Sequence, residues 1–169
     1  VDFDLNWVTL GDYLQFLENK GVSPNVASFV GATTLRVHQI GYEDRPPSKQ
    51  ELDYMKLLVR QAMEEGAMGN GSSLIYAPAF YASTDELIEI CKVASEYGGI
   101  YTSHLRSEGN RFLESVDEFL KIASEANIDS EIYHLKAGGK TNHYKLDLVI
   151  NKIDSARAAG LNITADMYT

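Results

Sequence analysis

The chain has 169 residues, 44% of them hydrophobic and 23% charged, which suffices for one substantial core. Its formal net charge of -9 argues against nucleic acid or another polyanion as a partner. No apolar run approaches the roughly 20 residues that span a bilayer, so no membrane partner is expected, and the single cysteine, Cys91, excludes an internal disulfide. One unpaired thiol fits a reducing compartment, and a cytoplasmic location is the expectation. The chain opens on Val1 and closes on "DMYT" in mid-strand, so it reads as a piece of a longer protein.

The segments alternate in type. "LGDYLQFLENKG" (10–21) reads as a short helix closed by Gly21. "NVASFVG" (25–31) is rich in β-formers, and "HQIGYEDRPPS" (38–48) is the least regular loop. "SKQELDYMKLLVRQAMEEGA" (48–67) is an amphipathic helix, with Leu52, Met55, Val59 and Met63 at helical steps and a capping box from Ser48 and Glu51. "SSLIYAP" (72–78) predicts a buried strand ended by proline. "STDELIEICKVASEYGG" (83–99) predicts a helix with a second capping box at Ser83 and Glu86, followed by strand "IYTSH" (100–104). Helix "RFLESVDEFLKIASEAN" (111–127), strand "EIYH" (131–134), helix "KLDLVINKIDSARAAG" (145–160) and strand "NITADMY" (162–168) complete the order.

Tyr76, His104, His134 and Asp166 follow one another at steps of about 30 residues, the length of a strand–helix–strand unit with parallel strands. No low-complexity linker interrupts the rhythm, so residues 1–169 read as a single domain. About five parallel strands alternating with helices fit a doubly wound α/β sheet or part of a (β/α)8 TIM barrel. Neither GxGxxG nor a P-loop is present, and the glycines of "EGAMGNGSS" (65–73) precede the predicted strand rather than follow it. The polar residues gather instead at strand C-termini, where a barrel carries its chemistry.

His104 and His134 end successive predicted strands. Adjacent strands lie about 4.8 Å apart, so two such imidazoles could share a metal ion bonded at about 2.0–2.1 Å. They would be an incomplete set, because a catalytic zinc takes three protein ligands and a water. A lone histidine is more often structural, and the pairing is what favours ligation. Arg106 and Lys136 each lie two residues past a histidine, on the same face of an extended strand. Either cation could bind a substrate carboxylate or polarise a carbonyl, while Arg106 could equally pair with Glu108 or another acid. Tyr76 could donate a hydrogen bond to the same pocket or pack at its rim. His38 and His143 lie in polar loops, and Cys91 falls on the apolar side of a helix; all three read as structural.

The runs "SPNVASFVGATTLR", "QAMEEGAMG", "SSLIYAPAFYAS", "YTSHLRSEGNR", "EIYHLKAGGK" and "ITADMYT" resemble the N-acyl-D-amino-acid deacylases (D-aminoacylases) of the amidohydrolase superfamily. The resemblance extends along essentially the whole chain. It implies an internal fragment of a metal-dependent (β/α)8 barrel, strands three to seven, with "NVASFVG" as the third. It implies His104 and His134 as metal ligands, Tyr76, Arg106, Lys136 and Tyr168 around the substrate, and one or two zinc ions in the whole enzyme. The activity implied is hydrolysis of the linear amide C–N bond of a small N-acyl-D-amino acid.

Some of the family's pattern has no counterpart here. The first-strand H-x-H pair, the second-strand cysteine ligand and the eighth-strand general-base aspartate are absent, and Asp166 falls on the seventh strand. No lysine stands on the fourth strand, which counts against a cyclic-amide hydrolase of the dihydroorotase or hydantoinase kind. "GNGSS" also departs from the family form, in which Leu-Ser follows the first glycine. No catalytic base is therefore expected within these residues. The isolated chain should be inactive, a scaffold that pairs with the rest of its barrel or with itself.

Overall fold

A computed structural model of the chain describes residues 5–168. The elements run α1 (Leu10–Lys20), β1 (Val30–Gly31), α2 (Ala32–Ile40), α3 (Lys49–Glu64), β2 (Gly69–Ser73), α4 (Thr84–Glu96), β3 (Ile100–His104), α5 (Phe112–Ala126), β4 (Asp129–Ile132), α6 (Lys145–Ala158) and β5 (Ile163–Ala165). Every strand pairs in parallel, and their spatial order is the order of the sequence. A doubly wound sheet reverses its order to place helices on both faces. Here each crossover steps the same way, and right-handed crossovers of that kind stack the helices on one face. The architecture is an open arc of a (β/α) barrel.

The core lies between that helical layer and the sheet. Met55 and Val59 of α3, Leu87 and Ile90 of α4, Phe112, Val116 and Phe119 of α5, and Ile132 of β4 are fully or almost fully buried in it. Their helical spacing is what makes α3, α4 and α5 legible from sequence. The Ser48–Glu51 capping box is present, with both reciprocal hydrogen bonds. At α4 only half of the expected box forms. Ser83 accepts the Glu86 N–H at 3.1 Å, but the Glu86 carboxylate turns inward to Arg36 at 2.7 Å.

That ion pair is buried at both ends and ties α2 to α4, while Arg36 also donates to the carbonyls of Glu43 and Arg45. Burial pushes the Glu86 carboxyl above its ordinary value, and Arg36 opposes the shift. Removing the arginine leaves a buried carboxylate without its counter-charge. Arg36→Ala is expected to cost about 3–5 kcal/mol of stability in denaturant unfolding of the protein, with Arg36→Met/Glu86→Leu recovering most of it. An Arg36→Ala protein within about 1 kcal/mol of wild type would show the pair to be dispensable.

Several boundaries differ from the sequence expectation: β1 is only Val30–Gly31 of the 25–31 run and β5 only Ile163–Ala165 of the 162–168 run, and three other differences bear on the site. Residues 32–40 form a helix, α2, where no element was expected over 32–37 and a loop was expected from 38; its Thr33, Thr34 and Val37 are poor helix formers, and docking of Leu35, Arg36 and Ile40 into the core overrides them. The strand expected at 72–78 is β2 at 69–73, so the glycine-rich segment is itself the strand. It holds because its polar side chains are paired under the helices: Asn70 donates to the Ile90 carbonyl at 3.0 Å, and Ser72 bonds the Tyr101 and Ser103 hydroxyls, each at 2.8 Å. Gly69 is required there. Its φ is +144°, and a Cβ would lie 1.9 Å from the Ile100 carbonyl oxygen. Finally, β4 ends at Ile132, two residues before His134.

Candidate metal centre

Strand register decides what His104 can reach. Tyr101 stacks on Phe119 of α5 with centroids 5.4 Å apart, and Ser103 bonds Ser72, so both face the helices. Alternation then sends Thr102 and His104 to the opposite, inner face. On the next strand Ser103 pairs with Ile132, which is wholly buried on the helical side. An extended continuation of β4 would carry His134 to that same side, away from His104.

The chain does not continue extended. His134 adopts a left-handed conformation with φ +38°. This costs an L-residue about 1–2 kcal/mol and swings its ring across to the inner face. The His104 and His134 centroids are 4.3 Å apart with their planes at 82°. The two imidazoles thus meet at the C-terminal edge of β3 and β4, through a turn rather than through the matched strand register expected.

Glu108 joins them. Its Oε1 lies 3.2 Å from His134 Nδ1 and 3.6 Å from His104 Nδ1, and the three residues offer donor atoms within 4.8 Å of one another. Lys136 closes the group, donating to Glu108 Oε1 at 2.6 Å and contacting His134 Nδ1 at 2.8 Å. Burial opposes the Lys136 charge, but hydrogen bonds to Glu108 and Tyr168 outweigh it and raise the ammonium above its ordinary value. Burial acts alike on His104 and there prevails, lowering the imidazole below its ordinary value. Tyr76 meets the His104 ring edge-on at 5.3 Å, and Tyr168 meets His134 at 5.7 Å and lies under the Lys136 ammonium at 5.3 Å. Tyr76 does this from the segment after β2, not from a strand end.

Arg106 is not part of this group, which corrects the expectation that it points where the histidines point. The extended strand stops at His104, so the two-residue alternation no longer holds. The guanidinium turns to Glu118 of α5 at 2.8 and 2.9 Å and to the carbonyls of Phe80 and Ala82. Its acidic partner is Glu118, and Glu108 is left to the histidines. His38 stacks on Tyr54 at 6.3 Å and contacts Gln39, and His143 is exposed. Cys91 is fully buried, which pushes its thiol up to about 12.

Sequence reasoning gave Glu108 only as an alternative partner for Arg106 and gave Asp166 no role. The available signal for Glu108 was its four-residue spacing from His104. For Asp166 it was the position after β5, whose backbone meets the turn carrying His134.

Two imidazoles and a carboxylate are borderline-to-hard donors that suit zinc. The Lys136 ammonium already rests against two of them, so the group accepts a cation. Nitrogen and oxygen donors converging at the carboxyl ends of neighbouring strands are placed where a (β/α) barrel carries its chemistry, and they form a candidate metal site. No family model matches the chain. It is 32% identical to a D-aminoacylase and 33% identical to an N-acyl-D-glutamate deacylase, both from Alcaligenes xylosoxydans xylosoxydans, over 93% and 92% of its length. A D-aminoacylase crystal structure superposes on 95% of the chain with a TM-score of 0.90 at 31% identity. The N-acyl-D-glutamate deacylase of Bordetella bronchiseptica, complexed with zinc and a phosphonate inhibitor, does so with a TM-score of 0.91 at 28% identity. The chain is thus similar to N-acyl-D-amino-acid deacylases along nearly all its own length, and it spans about a third of theirs, 32% of each of those two relatives and 34% of each structure.

Proposed function

We propose that these residues are the third-to-seventh-strand portion, within a single catalytic barrel domain, of a longer zinc-dependent enzyme that deacylates N-acyl-D-amino acids. The observation that carries the reading is the gathering of His104, His134 and Lys136 at the C-terminal edge of β3 and β4, in a chain similar to such deacylases along nearly all its length. His104 and His134 would hold zinc, one or two ions being bound in the whole enzyme. Bound zinc would supply a nucleophilic water near neutral pH and polarise the amide carbonyl.

The other residues divide the substrate between them. Lys136, kept charged, would pair with the carboxylate of the amino acid, and Glu108 would hold its ammonium in place. Tyr76, edge-on to His104, would donate its hydroxyl to the acyl oxygen as negative charge develops there. Tyr168 would wall the Lys136 side of the pocket. The remainder of the barrel would cover the free edges of β1 and β5. Among the described residues no helix is long and apolar enough to cross a membrane. The reduced, buried Cys91 agrees with a cytoplasmic location.

The test is a hydrolysis profile of the complete protein with zinc. N-acetyl-D-amino acids with neutral and acidic side chains would be assayed beside their L-enantiomers and dihydroorotate. Turnover confined to D-substrates is expected. Turnover of the cyclic amide with none of the D-substrates would overturn the reading.

A further inference from the structure

We propose that Asp166 is a positioning residue: its carboxylate locks the left-handed turn that turns His134 from the helical face towards His104. The inference rests on the reading of His134 as a metal ligand. It goes beyond that reading by naming what holds the ligand in place.

A histidine at positive φ persists only where its surroundings fix it. Three hydrogen bonds from one residue do so here. The Asp166 N–H donates to the Ile132 carbonyl at 3.1 Å, where β4 ends. The Asp166 carbonyl accepts the Leu135 N–H at 2.9 Å, beyond the turn. Between them, the Asp166 carboxylate accepts the N–H of His134 itself. The two backbone bonds bracket the turn and survive any side-chain substitution. Of these three, only the carboxylate bond addresses the ligand residue, at its N–H, while the His134 carbonyl accepts from Lys136 Nζ at 3.3 Å. Without it, the backbone at 134 is free to return to extended geometry, whose alternation sends the imidazole to the side of Ile132.

This role needs an acceptor oxygen at Oδ1 and no negative charge. Asp166→Asn keeps an oxygen there, and Asp166→Ala removes it. Zinc affinity of the complete protein, measured by chelator competition, should fall about 10–100-fold in Asp166→Ala, as for the loss of other groups that orient a metal-bound histidine. In Asp166→Asn it should stay within about threefold of wild type, well short of such a loss. The visible spectrum of the cobalt-substituted protein reports ligand geometry, and it should shift in Asp166→Ala and match wild type in Asp166→Asn.

An Asp166→Ala protein with wild-type zinc affinity and cobalt spectrum overturns the proposal. So does a folded Asp166→Asn protein as weak in zinc as Asp166→Ala, since that would mean the charge matters. If Asp166→Ala does not fold, the Asn variant decides alone, and a tenfold loss in a folded Asn protein rejects the acceptor role. His134→Ala separates the two levels. Unchanged zinc affinity there would overturn the ligand reading itself. Lost affinity there with unchanged affinity in Asp166→Ala would overturn only the present inference.

Discussion

Replacing His134 by alanine in the complete, zinc-supplied protein is expected to lower kcat/KM for an N-acetyl-D-amino acid by at least about 10³-fold, since a catalytic metal contributes several kcal/mol to the transition state and 1.36 kcal/mol is tenfold in rate. His104→Ala should do the same, because the two rings stand together at 4.3 Å and neither can be spared from so small a group. Metal content measured on the purified variants should fall in parallel with the rate. The fold should survive, because neither ring belongs to the core under the helices. A His134→Ala protein that keeps both its zinc and its turnover would show that the metal is held elsewhere.

The 169 residues alone, purified and supplied with zinc, should give no detectable deacylation. The described residues bring two imidazoles and one carboxylate together, and the carboxylate is already shared with Lys136. None of the acids stands free at this edge to act as general base, since Asp166 serves the backbone of His134. A positioned general base alone is typically worth about 10²–10⁴-fold, and the absent third ligand adds to that deficit. Turnover by the isolated chain comparable to that of the complete protein would mean that the catalytic groups are all here and have been misassigned.

Most of the fold was legible because α3, α4, α5 and α6 announce themselves by apolar spacing, and the return of a strand about every 30 residues announces the parallel sheet. The helix over residues 32–40 escaped notice because threonine and valine are weak helix formers, while the burial of Arg36 that stabilises α2 depends on a glutamate 50 residues away. β2 misled for the converse reason: "GNGSS" has no intrinsic β-preference, and its partners Tyr101, Ser103 and Ile90 are supplied by later segments. In the site the histidine pair was visible as a spacing. What spacing could not convey was parity. His104 and His134 fall on opposite sides of an ideal sheet, and only the turn at His134, with Asp166 across from it, reconciles them. Arg106 failed on the same point, because alternation was extrapolated two residues beyond the end of β3.

The agreement between strand order and sequence order has a bearing on how such a chain is made. Gly69 pairs with Ile100, Ile100 with Asp129, and Ser130 with Ile163, so each new strand docks on the one synthesised just before it. A nascent chain leaving the ribosome N-terminus first can add these units one at a time, never waiting for a distant partner, and pays little loop-closure entropy at each step. The growing arc keeps the open edge of its first strand and presents a second at its newest strand, which the next unit covers. In the complete barrel proposed above, only the closure of the first strand on the last would join residues far apart in sequence. Translation speed through the strand-to-strand intervals therefore sets how long each edge stays open to a neighbouring nascent chain.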